Sequence, residues 1–319
     1  MRLRVLLEAR HGATYEQILA MARTVEEAGF DAFFRSDHYL SIDPDDPLLA
    51  PTDSWTTLAG LARETRRVRL GTLVTAATFR LPGVLAITVA TVDAMSGGRV
   101  ELGIGAAWYE REHQMFGIPF PPIGERIDRL EEQLQIIQGL WTTPPGQRFS
   151  FAGTYYQIDQ CASFPRAAQS PRPTLIVGGA GPRRTPTLAA RFADEFNVGF
   201  DLGAAERFAR FRRICGEVGR DPATVRLSAC LPVCCGLDGA EVRRRIDAIG
   251  QPRILAQAVT GGPDAVIERL AALAAAGADT AYFHIFDVDD LDHIRLLGSE
   301  VLPHAAGLTP PKTAAASRP

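Results

Sequence analysis

Lysine is almost missing from this chain of 319 residues, with Lys312 the single one. A phosphate loop of the Walker type, which needs a lysine after its glycines, is therefore excluded. No uninterrupted apolar stretch approaches the roughly 18 residues of a membrane-spanning helix. The opening segment Met1–Glu8 is too short for the apolar core of a signal peptide and reads as a strand. A cytoplasmic protein that does not enter a membrane is the expectation. Basic runs are also lacking and the net charge is −3, which sets nucleic-acid partners aside. The five cysteines (Cys161, Cys215, Cys230, Cys234 and Cys235) form an odd count without a CxxC pair, against a disulfide framework. Cys230 and Cys234 flank Pro232 in an apolar run, so buried strand thiols are expected there and no metal site. GxSxG and HExxH are absent too, excluding those two hydrolytic designs.

What remains is an alternation of short β-rich runs with longer amphipathic ones, the pattern of βα units around a parallel sheet. Strands are expected at 2–8, 31–35, 68–72, 100–104, 175–177, 195–198, 225–231 and 280–286. Helices are expected at 15–28, 55–65, 85–95, 125–141, 185–192, 204–218, 240–249, 264–276 and 291–301. Eight strands with intervening helices favour an α/β fold closed as a (β/α)8 TIM barrel over an open doubly wound sheet. Residues 1–303 read as one domain. An irregular insertion at 142–173 follows strand four and helix four, and residues 304–319 read as a fraying tail.

A barrel of this kind carries its chemistry at the C-terminal ends of its strands. Those ends hold Glu8, Arg35-Ser36-Asp37-His38, Thr72-Leu73-Val74-Thr75, Gly103-Ile104-Gly105, Val177 through Gly181, Asn197 and His284. His38 beside Asp37 reads as an acid–base pair able to work near neutral pH; a loop histidine bonded to backbone is the weaker alternative. Gly178-Gly179-Ala180-Gly181 opens a helix, and the bare amides there suit a phosphate, with Arg183 and Arg184 adding charge. Gly103-Ile104-Gly105-Ala106-Ala107-Trp108 only imitates a dinucleotide fingerprint, since Trp108 occupies the third glycine position. Its small residues either make room for a flat ring or simply pack, with Trp108, Glu110 and His113 on the following loop. His284 and Tyr282 alternate on the last strand and could both point into the barrel mouth, or His284 could be a satisfied core residue.

These stretches carry a family likeness. Glu26 through His38, Arg69 through Thr75, Ala94 through Gly105 and Ile176 through Arg184 together resemble the luciferase-like monooxygenase superfamily, and within it the deazaflavin (coenzyme F420)-dependent oxidoreductases of actinobacteria. The resemblance implies a redox ring in the barrel mouth, its phosphate on the Gly178–Gly181 loop. It also implies a bulge with a non-prolyl cis peptide near Leu73-Val74. Asp37, Leu73, Val74, Thr75, Gly105, Ala106, Trp108, Gly178, Gly179, Ala180, Gly181, Arg183 and Arg184 are the implied cofactor contacts, with His38 and Asp37 catalytic. The chain departs from some relatives at Ala76, where they carry a threonine, and at Trp108 and Arg111, where sugar-phosphate oxidisers carry a glutamate and an asparagine. Lysines that would hold a sugar phosphate are missing, which argues against glucose 6-phosphate.

The expectation is an oxidoreductase moving a hydride between reduced F420 and a small organic substrate, with His38 as general acid or base. An FMN-dependent monooxygenase served by a separate reductase is the alternative, and a non-catalytic barrel a third. A flavin or F420 reductase system for cofactor supply and a homodimer, common in relatives, are the expected partners. The aromatics Phe149, Phe151, Tyr155, Tyr156 and Phe164 of the insertion are candidate walls for a partly apolar ligand, unless they only pack the insertion down.

Overall fold

The computed structural model describes residues 1–8, 12–41, 51–162 and 165–310. Eight parallel strands follow one another around a closed ring: β1 (Arg2–Leu7), β2 (Ala32–Arg35), β3 (Arg69–Ala76), β4 (Val100–Gly105), β7 (Thr174–Gly178), β8 (Glu195–Phe200), β9 (Arg226–Cys235) and β11 (Thr280–Ile285). Pairing of β8 with β9 and of β11 with β1 closes the ring. The short strand β10 (Val259–Gly261) adds to β9 from outside. β5 (Phe149–Ala152) and β6 (Gln157–Cys161) form a separate antiparallel hairpin.

Helices fill the links for reasons legible locally. In α1 (Tyr15–Glu27) Thr14 caps the first turn while Gln17 reaches back to the Thr14 amide, a reciprocal capping box. α2 (Ser54–Glu64) starts on Asp53, whose carboxylate accepts the Thr56 amide. α3 (Pro82–Ser96) begins on a proline and ends at Gly97 in the left-handed region, φ 71°. Long α5 (Ile123–Thr142) turns one apolar face, including Leu130, Leu134 and Ile137, onto the outer barrel wall. α6 (Arg184–Phe192), α7 (Ala204–Glu217), α8 (Gly239–Ile249) and α10 (Pro263–Ala276) complete the jacket.

Because side chains alternate along each strand, inner residues stack in layers. The lowest layer is charged: Arg4 is fully buried and donates to Glu101 (2.8 and 3.1 Å) and Asp31 (2.7 Å). Tyr282 accepts from Arg4 and donates to Glu195, so it belongs to this floor and not to the mouth. Above lies an apolar layer of Leu6, Ala32, Phe34, Leu73, Ile176 and Cys230. The top layer brings Glu8, Ser36 and His284 to the rim.

Several boundaries differ from expectation. Strand three runs on to Ala76, through a cis Leu73–Val74 peptide and a register shift between Thr72 and Thr75. That irregularity breaks the two-residue rhythm, which is why the periodicity alone ends the strand at 72. The insertion holds a hairpin, and its aromatics serve mainly to pack it. Phe149, Phe151 and Tyr156 lie on the core, Glu132 of α5 accepts the amides of Thr154, Tyr155 and Tyr156, and Arg129 covers the Tyr155 ring at 4.5 Å. Phe164 lies outside the described residues. Residues 304–308, expected to belong to the fraying tail, are held in place: the Met1 ammonium donates to the carbonyls of Ala305 and Leu308, and Ala305 is buried.

Candidate active site

Two elements that meet at the rim make the most chemically suggestive pair. His38 follows β2, and Glu112 sits on the short helix α4 (Glu110–Met115) after β4. His38 Nδ1 lies 3.0 Å from Glu112 Oε2. The other carboxylate oxygen accepts the amides of Tyr39 and Leu40, the latter at 3.0 Å. Glu112 is completely buried, whereas the His38 side chain keeps 14% of its surface exposed. A carboxylate accepting from Nδ1 favours the tautomer with that nitrogen protonated and the lone pair on Nε2. Trp108, 60% exposed, meets the His38 ring edge-on at 5.8 Å and stacks on Tyr109 at 5.0 Å. Together they give the histidine an aromatic wall.

Asp37 is expected either to orient His38 or to contact the cofactor, and the structure corrects the first of these. Asp37 is buried, and among the described residues it makes no hydrogen bond to the imidazole. It takes bonds from Arg80 (2.6 Å) and the Thr75 hydroxyl (2.8 Å). Arg80 also donates to Asp53 and to the Tyr39 hydroxyl. Burial by itself would lower the Arg80 pKa, but Asp37, Tyr39 and Asp53 hold it above the ordinary value. Burial, reinforced by the Asp37 charge, pushes the Tyr39 phenol up, so it stays neutral. Thr75 in turn accepts the Trp55 indole N–H. This knot fixes the β2 and β3 ends beneath the mouth, and its polar groups are committed to one another.

The glycines form the complementary corner. A Cβ on Gly103 would sit 2.1 Å from the Thr72 carbonyl oxygen, and one on Gly178 would sit 2.7 Å from Val74 Cγ1. One on Gly105 would lie 3.0 Å from both the Gly178 carbonyl and Val74 Cγ2. Val74, on the cis peptide, thus wedges between β4 and β7, and the strand-four glycines make way for the bulge. The packing alternative holds for Gly103 and Gly105. Ala106 uses its carbonyl to accept from Arg126 (3.1 Å).

Beyond Gly178, the chain bends through Gly179 (φ +149°) into α6, whose N-terminus carries no side-chain cap. Gly179, Ala180, Gly181, Phe196, Arg207 and Arg210 line a depression here. Uncapped amides, glycines permitting close approach, and arginines in the wall fit a phosphate group. Arg184, by contrast, donates to the Gly124 carbonyl and pairs with Asp128, while Arg183, exposed, lies 3.6 Å from Glu217. Arg207, which periodicity does not mark, lines the depression and donates to the Val198 (2.9 Å) and Phe200 (3.1 Å) carbonyls.

Other candidates resolve into structure. His113 is buried between the Thr78 hydroxyl (2.6 Å) and the Tyr109 carbonyl (2.8 Å). Glu110 accepts from Gln114 one turn on. Asn197 bonds Ser228 and the Gly199 amide. Arg35 is buried against Thr52 and Thr57. Burial raises the Cys230 thiol to about 12, which leaves it inert at neutral pH. Among the described residues no helix is long and apolar enough to cross a membrane.

Comparison with known proteins now decides the lineage. A sequence profile described as luciferase-like monooxygenase matches residues 1–254. The chain belongs to the luciferase-like monooxygenase family. It is 30% identical to an F420-dependent glucose-6-phosphate dehydrogenase of Beutenbergia cavernae, across 90% of this chain and 92% of that one. A similar enzyme of Nakamurella multipartita is 37% identical over 56% of this chain, which here spans about half the relative's length (51%). An F420-dependent hydroxymycolic acid dehydrogenase of Mycobacterium tuberculosis is 32% identical over 72% of this chain and 61% of its own. Among solved structures, an F420-dependent secondary alcohol dehydrogenase superposes with a TM-score of 0.80 at 18% identity, covering 95% of this chain and 98% of that chain. EDTA monooxygenase superposes with a TM-score of 0.79 at 18% identity, covering 97% and 95%. At those identities the solved structures speak for the barrel alone.

Proposed function

We propose that this luciferase-like chain is an F420-dependent oxidoreductase that exchanges a hydride with a small organic substrate, with His38 handling the accompanying proton. The His38–Glu112 pair at the rim is the observation that carries this reading. Glu112 holds Nδ1, so Nε2 is free to take a proton from a substrate hydroxyl or return one to a developing alkoxide. Bound in the mouth, the deazaflavin would supply or accept the hydride, the chemistry that gives it its biological use. The uncapped amides at the start of α6 and the Ala180–Gly181 turn would hold its phosphate, with Arg207 and Arg210 in the wall of the same depression. Val74 and the Leu73–Val74 peptide, between Gly105 and Gly178, would support the ring from below. Trp108 would shield the reacting face from water.

The relatives named F420-dependent support this cofactor, whereas the similar fold of EDTA monooxygenase keeps FMN as the competing arm of the test. The reaction is tested by anaerobic mixing with reduced or oxidised F420 and a substrate panel, followed through the deazaflavin absorbance. His38→Ala should lower turnover by about 10²- to 10⁴-fold, the usual worth of a general acid or base, while leaving cofactor affinity unchanged. Undiminished turnover in His38→Ala would remove that residue from the mechanism.

A further inference from the structure

Of the three tryptophans, Trp108 alone is left open by the fold: it is 60% exposed, against 2% for Trp55 and 7% for Trp141. Exposed side chains ordinarily hop between rotamers, but this one stands in a built setting. Ala107, just before it, sits in the left-handed region at φ 68°; among the described residues Gln160 is the only other non-glycine there. That conformation is unfavourable for alanine and persists only where the surroundings impose it. The Tyr109 ring backs the indole at 5.0 Å and 15°. Tyr109 is tied at both ends, its hydroxyl donating to the Ser41 carbonyl (3.2 Å) and its own carbonyl accepting from His113 Nδ1 (2.8 Å). His113 is held in turn by the Thr78 hydroxyl at Nε2 (2.6 Å). The His38 ring stands across both aromatics, 5.8 Å from Trp108 at 77° and 6.3 Å from Tyr109 at 72°.

We propose that Trp108 is a specificity-determining residue, a stacking platform that selects a substrate carrying a planar, conjugated ring and lays it beside His38. An indole face attracts a second flat π-system in an offset stack, beyond the gain from the area buried. A puckered, saturated ring of the same size cannot lie flat on it and forgoes that gain. Fixing the indole before the substrate arrives removes the cost of ordering it on binding. Because the His38 ring already touches the Trp108–Tyr109 stack, whatever lies on the indole lies next to the proton-handling group. The proposal deepens the oxidoreductase reading and rests on it for the redox use of the bound ring. It gives the indole to the substrate and not to the cofactor.

The test uses full-length protein labelled with ¹⁵N-tryptophan, the Trp108 indole N–H signal being assigned by its loss in Trp108→Leu. Trp55 and Trp141 donate to the Thr75 hydroxyl and the Ala86 carbonyl inside the fold, so their signals are internal controls. Benzamide and cyclohexanecarboxamide are the probes, sharing an amide and differing in the planar ring. Each is added without F420, at concentrations that leave free N-acetyltryptophanamide unshifted. The proposal expects benzamide to move the Trp108 signal upfield and saturably, through its ring current, and cyclohexanecarboxamide to leave it in place. Trp108→Leu, its fold checked by retained Trp55 and Trp141 signals, should weaken benzamide binding about three- to tenfold, the worth of one aromatic pair. A Trp108 signal that ignores benzamide, or follows both amides alike, overturns the proposal even when F420 binds. So does one that F420 shifts and benzamide then no longer moves, which hands the indole to the cofactor. A benzamide-selective response in a protein that ignores F420 instead retains the platform and defeats the cofactor reading.

Discussion

A single buried carboxylate decides how much His38 can do. Glu112 accepts His38 Nδ1 and two backbone amides, so it fixes both the tautomer and the loop that carries the imidazole. Glu112→Gln keeps the size and an acceptor oxygen but removes the charge, and can present its amide group to the ring. We expect kcat to fall by about 10- to 100-fold, the range typical of groups that orient a working histidine, with little loss of F420 affinity. Steady-state kinetics paired with cofactor titration checks it; an unchanged kcat would reduce Glu112 to a loop anchor. The sequence points to His38 without difficulty, because a histidine just past a strand end is conspicuous. Its partner is not legible there. Asp37 is adjacent in the chain but turns into the Arg80 knot, and Glu112 lies 74 residues away, between two more noticeable neighbours, Trp108 and His113. Proximity in the chain says nothing about which way a side chain leaves a turn.

At the scale of elements, the bulge of β3 and the glycines of β4 and β7 are one device. Gly103→Ala would place a methyl group against the Thr72 carbonyl, which is backbone and cannot swing aside. The expected loss is about 1–3 kcal/mol, as for other overpacked sites, accompanied by weaker cofactor binding as the bulge shifts. Gly124→Ala is the matched control: nothing lies within 4 Å of its added Cβ, in the first turn of α5. It should be neutral or stabilising by up to about 1 kcal/mol. Urea denaturation of both variants separates clash from the general effect of a methyl group. The eight barrel strands are legible because each is a short apolar run between turn signals. The hairpin in the insertion is not, since only alternate residues of Phe149–Ala152 are even half-buried and most of Gln157–Cys161 is exposed. Strand–strand pairing there is set by tertiary contact with α5.

For the whole molecule, the charged floor of the barrel and a second buried cluster set the response to acid. Burial would raise the Glu101 carboxyl, but Arg4 and Arg69 overcome this and hold it down at about 2. Below its unfolded value near 4.5 the unfolded chain takes up the proton first, so stability is full above that value. It is lost as pH falls toward 2. His293 adds a second, earlier loss. Burial, then the Arg245 charge, lowers it to about 3 while its Nε2 accepts the Cys235 amide. Its neutral form is native, and protonation of the unfolded chain begins to favour unfolding below about 6.5. Thermal unfolding followed from pH 7 to 3 should show Tm declining in both windows, and His293→Gln should flatten the upper one. A Tm independent of pH over that range would contradict these assignments. Such networks leave only faint traces in sequence: Arg4, Glu101, Glu195 and Tyr282 each look out of place in an apolar strand, and only closure of the barrel shows that they neutralise one another.

We propose that the barrel mouth and the Gly178–Gly181 corner receive a deazaflavin. Parallel equilibrium titrations of the purified protein with F420 and with FMN, read by fluorescence, test it most directly. Saturable F420 binding is expected, and Gly181→Glu, which sets a carboxylate among the uncapped amides before α6, should weaken it by at least about tenfold. Tight FMN binding with no measurable affinity for F420 would contradict it.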